Sequence, residues 1–286
     1  MLENDSIAHH TSKYDVFAKI IKGESFLVQY CAEKIYVNKH KNIHIAVPMV
    51  SFADIRPTDY VRAFWRPKKK GEKRIYGYYG DYAIGLSKDW AVRHNVIPIL
   101  YIPKPKESGE VLAQNNPIIE LCNKARKKIP DNWKGKEMHN IPSIASFCKH
   151  YIGYLEKEEE KTHEINRFEY NFHMEQEWRY VSPTIPIRWN FYNNNNDSNI
   201  DNEKKEKQER NKEIRETLSF NLWEDVTYIV VKSDNSLEKI LKLIESKYKE
   251  KNRDLTLTDE DKKNLYKRYR YIQSCIVTTE QLKNNL

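Results

Sequence analysis

Cysteine is scarce in this chain of 286 residues, which holds four cysteines and no Cys-x-x-Cys pair. Widely spaced cysteines predict neither a disulfide framework nor a zinc knuckle, and reduced thiols are typical of a cytoplasmic protein. The nine histidines form no His-Glu-x-x-His motif. We therefore predict a cytoplasmic location and no metal site.

Long apolar runs are also lacking, because no segment approaches the roughly 18–20 apolar residues that span a membrane. The first five residues, Met-Leu-Glu-Asn-Asp, show neither the basic nor the apolar region of a secretory signal. We therefore expect neither export nor a membrane partner.

Basic residues outnumber acidic ones, 49 against 41, which gives a net charge of +8. A basic surface favours nucleic acid or the phosphates of a nucleotide as partners. The densest basic stretch is residues 66–74, where Lys68, Lys69, Lys70 and Arg74 are candidate contacts to nucleic acid or phosphate. The alternative interpretation is a basic loop that is merely solvated.

Along the whole chain, segments with the apolar spacing of a strand alternate with segments that have the apolar spacing of a helix. Strands are predicted at residues 7–10, 26–30, 43–55, 82–86, 96–102, 175–183, 223–231 and 270–277. Helices are predicted at residues 13–22, 87–94, 115–128, 141–160, 234–249 and 258–268. This order predicts a single α+β domain over residues 1–286, with a central mixed, mostly antiparallel sheet flanked by helices. Residues 193–216, rich in Lys, Glu and Asn, are expected to form a flexible charged insert that is helical in its charged half.

The stretch Glu175-Gln176-Glu177-Trp178-Arg179 sets two acids at alternate positions. On a β-strand alternate side chains share one face, so both carboxylates would project together. Neighbouring like charges raise each other's pKa, and a close acid pair suits the cleavage of a glycosidic bond. Glu177 and Glu175 are therefore the candidate catalytic residues. In the alternative interpretation one acid is solvated and the other pairs with Arg179 or a nearby lysine.

Two earlier stretches supply the other parts of a nucleotide-sugar site. His10 and Thr11 stand where the first predicted strand ends and a helix begins. Residues 76–86 contain four tyrosines and three glycines, and Tyr79 and Tyr82 offer flat rings for stacking and hydroxyls for hydrogen bonds. The alternatives are a surface histidine near a helix start and a hairpin turn that packs on the core.

Most of the chain resembles the AbiGi-type abortive phage-resistance proteins. The resemblance is carried by His10-Thr11 and by residues 17–23, 47–55, 79–90, 98–101, 175–179, 224–230 and 276–281. The family pattern contains cysteine at the position where this chain has Ser51-Phe52-Ala53-Asp54, so the resemblance implies no role for a cysteine. The resemblance implies a phage-defence component, in some accounts the antitoxin-like member of a pair. The implied partners are a phage or host macromolecule and a partner protein from a defence operon.

The order His-Thr, then Tyr, then Glu-x-Glu is also similar to that of ADP-ribosyltransferases. This second resemblance implies an ADP-ribosyltransferase-like fold and NAD as the cofactor. His10 would bond the adenosine ribose, Tyr79 or Tyr82 would stack on nicotinamide, and Glu177 would stabilise an oxocarbenium-like transition state. Glu175 would then orient the acceptor. The second predicted strand carries no Ser-Thr-Ser motif, and no predicted helix carries the Tyr-x-x-x-Tyr motif of those enzymes.

Two functional classes follow from these observations. One is an NAD-consuming transferase that acts during infection, and the other is a non-catalytic sensor or antitoxin that binds a partner protein or nucleic acid. Arg167 and His173 also match the Arg-x5-His spacing of helical ribonucleases. That pattern is short, and the many β-rich segments predict a different fold.

Overall fold

The computed structural model describes residues 5–38, 41–59, 80–102, 143–158, 165–189 and 200–284. The chain divides into two compact units, which are described separately. The first unit comprises residues 1–26, 52–95 and 219–286, and the second comprises residues 27–51 and 96–218. None of the helices within the described ranges is long and apolar enough to cross a membrane.

Fifteen strands are found in the described residues. They are β1 (Ser6–Thr11), β2 (Ser25–Leu27), β3 (Gln29–Asn38), β4 (Lys41–Ala53), β5 (Tyr82–Ser87), β6 (Ile97–Pro98), β7 (Leu100–Ile102), β8 (Cys148–His150), β9 (Ile152–Glu158), β10 (Ile165–Asn171), β11 (Glu177–Val181), β12 (Arg188–Trp189), β13 (Thr217–Ser219), β14 (Val226–Val231) and β15 (Ile276–Thr278). The α-helices described are α1 (Tyr14–Gly23), α2 (Lys88–Arg93), α3 (Ile200–Glu213), α4 (Asp234–Asn252), α5 (Asp259–Ser274) and α6 (Thr279–Asn284).

The strands of the first unit lie in the order β15-β14-β5-β1. β5 runs antiparallel to β1, with Ser6 opposite Ser87 and Thr11 opposite Tyr82, and antiparallel to β14 on its other side. β14 and β15 are parallel, and helices α4 and α5 form the crossover that a parallel pair requires. The α+β class with a mixed, mostly antiparallel sheet and flanking helices is therefore confirmed.

Apolar spacing places the helices of the first unit on its core. Phe17, Ile20 and Ile21 recur at helical spacing on α1 and are buried. Trp90 of α2 is completely buried, and its indole nitrogen donates a hydrogen bond to the backbone oxygen of Ser219. Burial of each such side chain stabilises the fold by about 1.5–3 kcal/mol.

The second unit is built around β4. β3 and β12 both pair antiparallel with β4, and β6 pairs antiparallel with β11, with Trp178 opposite Pro98. β7 and β8 form a parallel pair in which Tyr101 lies opposite Lys149. β9 and β10 form a separate antiparallel hairpin.

The charged half of the segment 193–216 is helical, as expected, because α3 covers Ile200–Glu213. Asn211 at its end accepts a hydrogen bond from the backbone nitrogen of Tyr30 at 2.8 Å. Just beyond the helix, the Glu216 carboxylate accepts hydrogen bonds from the hydroxyls of Tyr180, Ser182 and Thr184. Residues 193–199 lie outside the described residues, and the single-domain arrangement with a flexible insert stays a prediction.

Three sequence predictions of elements need correction or lie out of reach. The helix predicted at residues 141–160 is wrong: a short 3-10 turn at Ser143–Phe147 leads into β8 and β9. The pairing of β9 with β10 overrides the helical preference of its glutamates and lysines. The strand predicted from residue 270 begins only at Ile276, because α5 continues to Ser274. The helix predicted at residues 115–128 lies outside the described residues.

Candidate functional site

The two candidate acids lie on either side of a turn. Glu175 ends a 3-10 turn at Phe172–Glu175, and β11 begins only at Glu177. Gln176 between them adopts the left-handed conformation with φ 42°. The prediction that one strand carries both acids is therefore wrong, because the backbone reverses its handedness at Gln176.

The carboxylates nevertheless meet, because one lysine holds both of them. The Nζ of Lys149 on β8 lies 2.8 Å from Glu175 Oε2 and 2.8 Å from Glu177 Oε2. The shared ammonium removes the repulsion that two acids at this spacing would otherwise suffer. Both glutamates are buried.

Arg179 completes a buried network of charges. Its Nε lies 2.7 Å from Glu177 Oε1, and its Nη2 lies 2.7 Å from Glu33 Oε1. Its Nη1 donates to the backbone oxygen of Ser146 at 2.6 Å. The side chain of Arg179 is 0% exposed. We call Glu33, Lys149, Glu175, Glu177 and Arg179 the buried charge cluster.

Burial and pairing act in opposite directions on the titration of this cluster. Burial alone would raise the pKa of Glu177, but Arg179 and Lys149 outweigh it, and the pKa lies well below its ordinary value. Burial dominates at Glu33, so its pKa is raised although Arg179 opposes the shift. Burial lowers the pKa of Lys149 less than Glu175 and Glu177 raise it, so its pKa is raised. Glu177 and Lys149 are thus charged at neutral pH.

The buried charge cluster and Tyr101 contact the turn at Phe172–Glu175 and the residue that begins β11. Lys149 Nζ lies 4.5 Å from the centre of the Phe172 ring, and the backbone nitrogen of Glu177 donates to the Tyr101 hydroxyl at 2.9 Å. Burial raises the pKa of Tyr101 to about 12, so this hydroxyl keeps its proton. The turn is therefore fixed at both ends by buried polar contacts.

The exposed side chains of the turn, together with Tyr151, form an aromatic and apolar surface. The His173 ring stacks on Tyr151 with 4.9 Å between centroids and meets Tyr101 edge-on at 5.2 Å. Met174 is 51% exposed and Tyr151 is 41% exposed. We call Tyr151, His173 and Met174 the turn surface. Exposed methionine and tyrosine side chains are enriched where proteins contact one another.

The remaining described candidates, His10, Thr11 and Tyr82, lie in the first unit, whereas Glu175 and Glu177 lie in the second. Both ring nitrogens of His10 are shielded from solvent, and burial lowers its pKa to about 3, with His9 adding to the shift. Thr11 lies opposite Tyr82 on the paired strands. Their roles in binding NAD stay predictions.

Tyr82 is built into the core of the first unit. Its ring lies 5.5 Å from that of Phe17, and its hydroxyl is 3.2 Å from Ser236 Oγ on α4. These contacts account for Tyr82 as a packing residue, which is the alternative that the sequence left open. Tyr79, Lys68, Lys69, Lys70 and Arg74 lie outside the described residues.

Sequence reasoning missed part of the cluster. Arg179 was identifiable as a partner of Glu177, because residues two apart on a strand share a face. Lys149 and Glu33 carried no local signal, and neither did Tyr101, whose hydroxyl accepts from the Glu177 backbone nitrogen. Lys149 fell in a stretch with helical character, and Glu33 is distant in sequence from every other member. Arg167 lies on strand β10, which does not fit the helical ribonuclease pattern.

Comparison with known proteins gives one family. The family described as abortive phage resistance protein AbiGi, antitoxin, matches residues 24–232. These residues include all five members of the buried charge cluster and the whole turn surface. A search of curated proteins found no match, and neither did a search of solved structures.

Proposed function

Since this chain belongs to the AbiGi family of abortive phage-resistance proteins, we propose that it acts in phage defence as an antitoxin that binds and restrains a toxic partner protein. The family description names the antitoxin role. The contacts of Glu177 offer a physical reason to prefer binding over catalysis.

The proposal rests on one observation: both carboxylate oxygens of Glu177 are bonded to basic side chains of the protein itself. Its Oε1 bonds Arg179 at 2.7 Å and its Oε2 bonds Lys149 at 2.8 Å. A carboxylate that stabilises an oxocarbenium ion must direct uncompensated negative charge at the substrate. Here two cations neutralise that charge, so the acid pair works as a support for the turn.

The turn surface is suited to a protein partner. Interface centres are enriched in Tyr and Met, and a few such side chains supply most of the binding energy. Lys149 of the buried charge cluster contacts both Phe172 and Glu175 of the turn, and these contacts restrain it, so less conformational entropy is lost when a partner binds. We assign the contact with the toxic partner to Tyr151, His173 and Met174.

We expect the double variant His173→Ala, Met174→Ala to bind the toxic protein of the same defence operon about 10- to 100-fold more weakly than the wild type. Affinity is measured by calorimetry with purified proteins, and rescue is measured by growth of cells that co-express both. The turn itself should persist, because Lys149 and Tyr101 hold it from below.

The matched control is Val92→Ala with Leu255→Ala, which truncates two side chains that are 67% and 96% exposed in the first unit. This control should leave the affinity unchanged. Equal weakening by both double variants, or none by either, would remove the turn surface from the interface.

Purified protein incubated with NAD separates the transferase interpretation from the antitoxin proposal. We expect no consumption of NAD, with or without phage lysate. If NAD is consumed and Glu177→Gln slows consumption about 10²- to 10³-fold, Glu177 acts as a preorganised catalytic charge and the proposal fails. Circular dichroism confirms that the Gln variant is folded.

A further inference from the structure

Helix α5 of the first unit has an unusual distribution of charge that the antitoxin proposal does not use. Its acids, Asp259, Glu260 and Asp261, are confined to the first turn. Residues 262–279 then contain five basic residues, three tyrosines and no acid. Such a stretch attracts a polyanion, and its tyrosines offer flat rings beside the charges.

Three of these bases share one exposed face of the helix. Lys263, Lys267 and Arg270 are spaced by four and three residues, so they lie in one row, and all three are exposed. Lys263 makes a long ion pair with Glu260 at 3.9 Å between two exposed side chains, and Arg270 donates to the Gln273 amide oxygen. Neither contact withdraws a cation from solvent.

An exposed ring stands in the same row. Tyr266 lies three residues after Lys263 and four before Arg270, and it is 50% exposed. Behind it, Tyr248 of α4 and Tyr269 stack with 4.4 Å between centroids at an interplanar angle of 13°. The centroid of the Tyr266 ring lies 6.3 Å from that of Tyr248 and 6.4 Å from that of Tyr269. The packed pair supports Tyr266 and leaves half of its surface to solvent.

Arg268 does not belong to this exposed face. It points to the other side of the helix, where it donates hydrogen bonds to the backbone oxygens of Trp223 and Glu224. Its role is to join α5 to the preceding loop. Lys262 is also only partly exposed, so the exposed cations of this stretch are Lys263, Lys267 and Arg270. We call these three with Tyr266 the α5 row.

We infer that the α5 row binds single-stranded nucleic acid. The three cations contact successive phosphates, and Tyr266 stacks on one unpaired base. Stacking on an exposed ring needs a base face that a duplex hides, so single strands are favoured over duplexes. This activity is independent of the antitoxin proposal, because it uses other residues in the other unit.

Binding is measured by fluorescence anisotropy of the full-length protein with labelled oligouridylate and oligodeoxythymidylate of about twelve nucleotides. With three phosphate contacts, log affinity should fall with log salt at a slope of about −2, or about 20-fold between roughly 50 and 200 mM. A preference between the two oligonucleotides would identify the natural ligand as RNA or DNA. Tighter binding to a duplex would overturn the inference.

Two variants of Tyr266 test the stacking step. Tyr266→Ala should weaken binding about 5- to 150-fold, which corresponds to the loss of one stacked base. Tyr266→Phe keeps the flat face and should bind like the wild type. Equal loss in both variants, or loss in neither, would contradict the proposed stack.

A matched pair of triple variants tests the placement of charge. Lys263→Gln, Lys267→Gln, Arg270→Gln should abolish most of the salt dependence. The control is Lys13→Gln, Lys19→Gln, Lys22→Gln, which changes the net charge equally at exposed positions on α1 and directly before it, in the same unit. If the control weakens binding as much as the α5 variant, net charge alone accounts for binding and the assigned row is wrong.

Discussion

Replacing Arg179 with methionine should lower the free energy of unfolding by about 3–5 kcal/mol. The side chain is 0% exposed and neutralises two carboxylates, those of Glu177 and Glu33. Methionine fills the space but removes the guanidinium that both acids contact, so Glu33 loses its ion pair with Arg179 and Glu177 keeps only Lys149. An uncompensated buried charge costs far more than a lost surface pair, because no water replaces the missing partner.

The matched control is Arg56→Met. Arg56 Nε lies 2.6 Å from Asp59 Oδ2, and the two side chains are 57% and 35% exposed. Solvent screens that pair, so we expect a loss below about 1 kcal/mol. Urea denaturation at neutral pH measures both variants, and similar losses would show that burial of the cluster contributes nothing special.

A rescue experiment separates charge from packing. Adding Glu33→Gln and Glu177→Gln to Arg179→Met removes the uncompensated charges while keeping the shapes of the side chains. We expect the triple variant to recover part of the lost stability, because a buried ion network is often replaceable by neutral groups. No recovery would indicate that the Arg179 hydrogen bond to the Ser146 oxygen dominates instead.

Lowering the pH from about 6.5 to about 5 should destabilise the protein by about 2 kcal/mol through His10 alone. Burial lowers the pKa of His10 from 6.5 to about 3 in the folded chain. The unfolded chain therefore takes up a proton below pH 6.5 while the folded chain does not. The His10 contribution is complete above pH 6.5 and is lost as the pH falls toward 3, at about 1.4 kcal/mol per pH unit.

Free energies of unfolding at several pH values between 7 and 5 test this slope. His10→Phe should flatten the dependence in this window, whereas His173→Gln, which changes an exposed ring, should leave it intact. Below pH 4.5 Glu177 adds a second loss, because its pKa is lowered by Arg179 and Lys149 from an ordinary value of 4.5. An unchanged slope in His10→Phe would show that this imidazole titrates normally.

Regular periodicity allowed the sequence to predict much of the fold. The apolar run at residues 82–86 and the helical spacing in residues 13–22 gave β5 and α1 nearly to the residue, because local pattern and final burial agree there. The short strand predicted at residues 7–10 corresponds to β1. The prediction for residues 152–158 was wrong because their glutamates and lysines favour a helix. Only their pairing with β10, which no local pattern shows, makes them a strand.

The sequence predicted the two acids of the candidate site but missed the distant residues that pair with them. Glu177 and Arg179 are two apart on one strand, so their pairing follows from alternation. Gln176 gave no sign of its left-handed backbone, since a positive φ favours glycine or asparagine in most sequences. Lys149 and Glu33 reach the site only through tertiary contacts between distant strands, which a single sequence does not encode in any local pattern.

The first unit gathers residues 1–26 together with residues 219–286. Strand β15 at Ile276–Thr278 occupies one edge of its sheet. On the ribosome, β1 and β5 therefore emerge early and wait for β14 and β15, whereas the second unit is fully synthesised by residue 218. A message cut short, or a stalled ribosome, yields a chain whose first unit stays open and vulnerable to proteases.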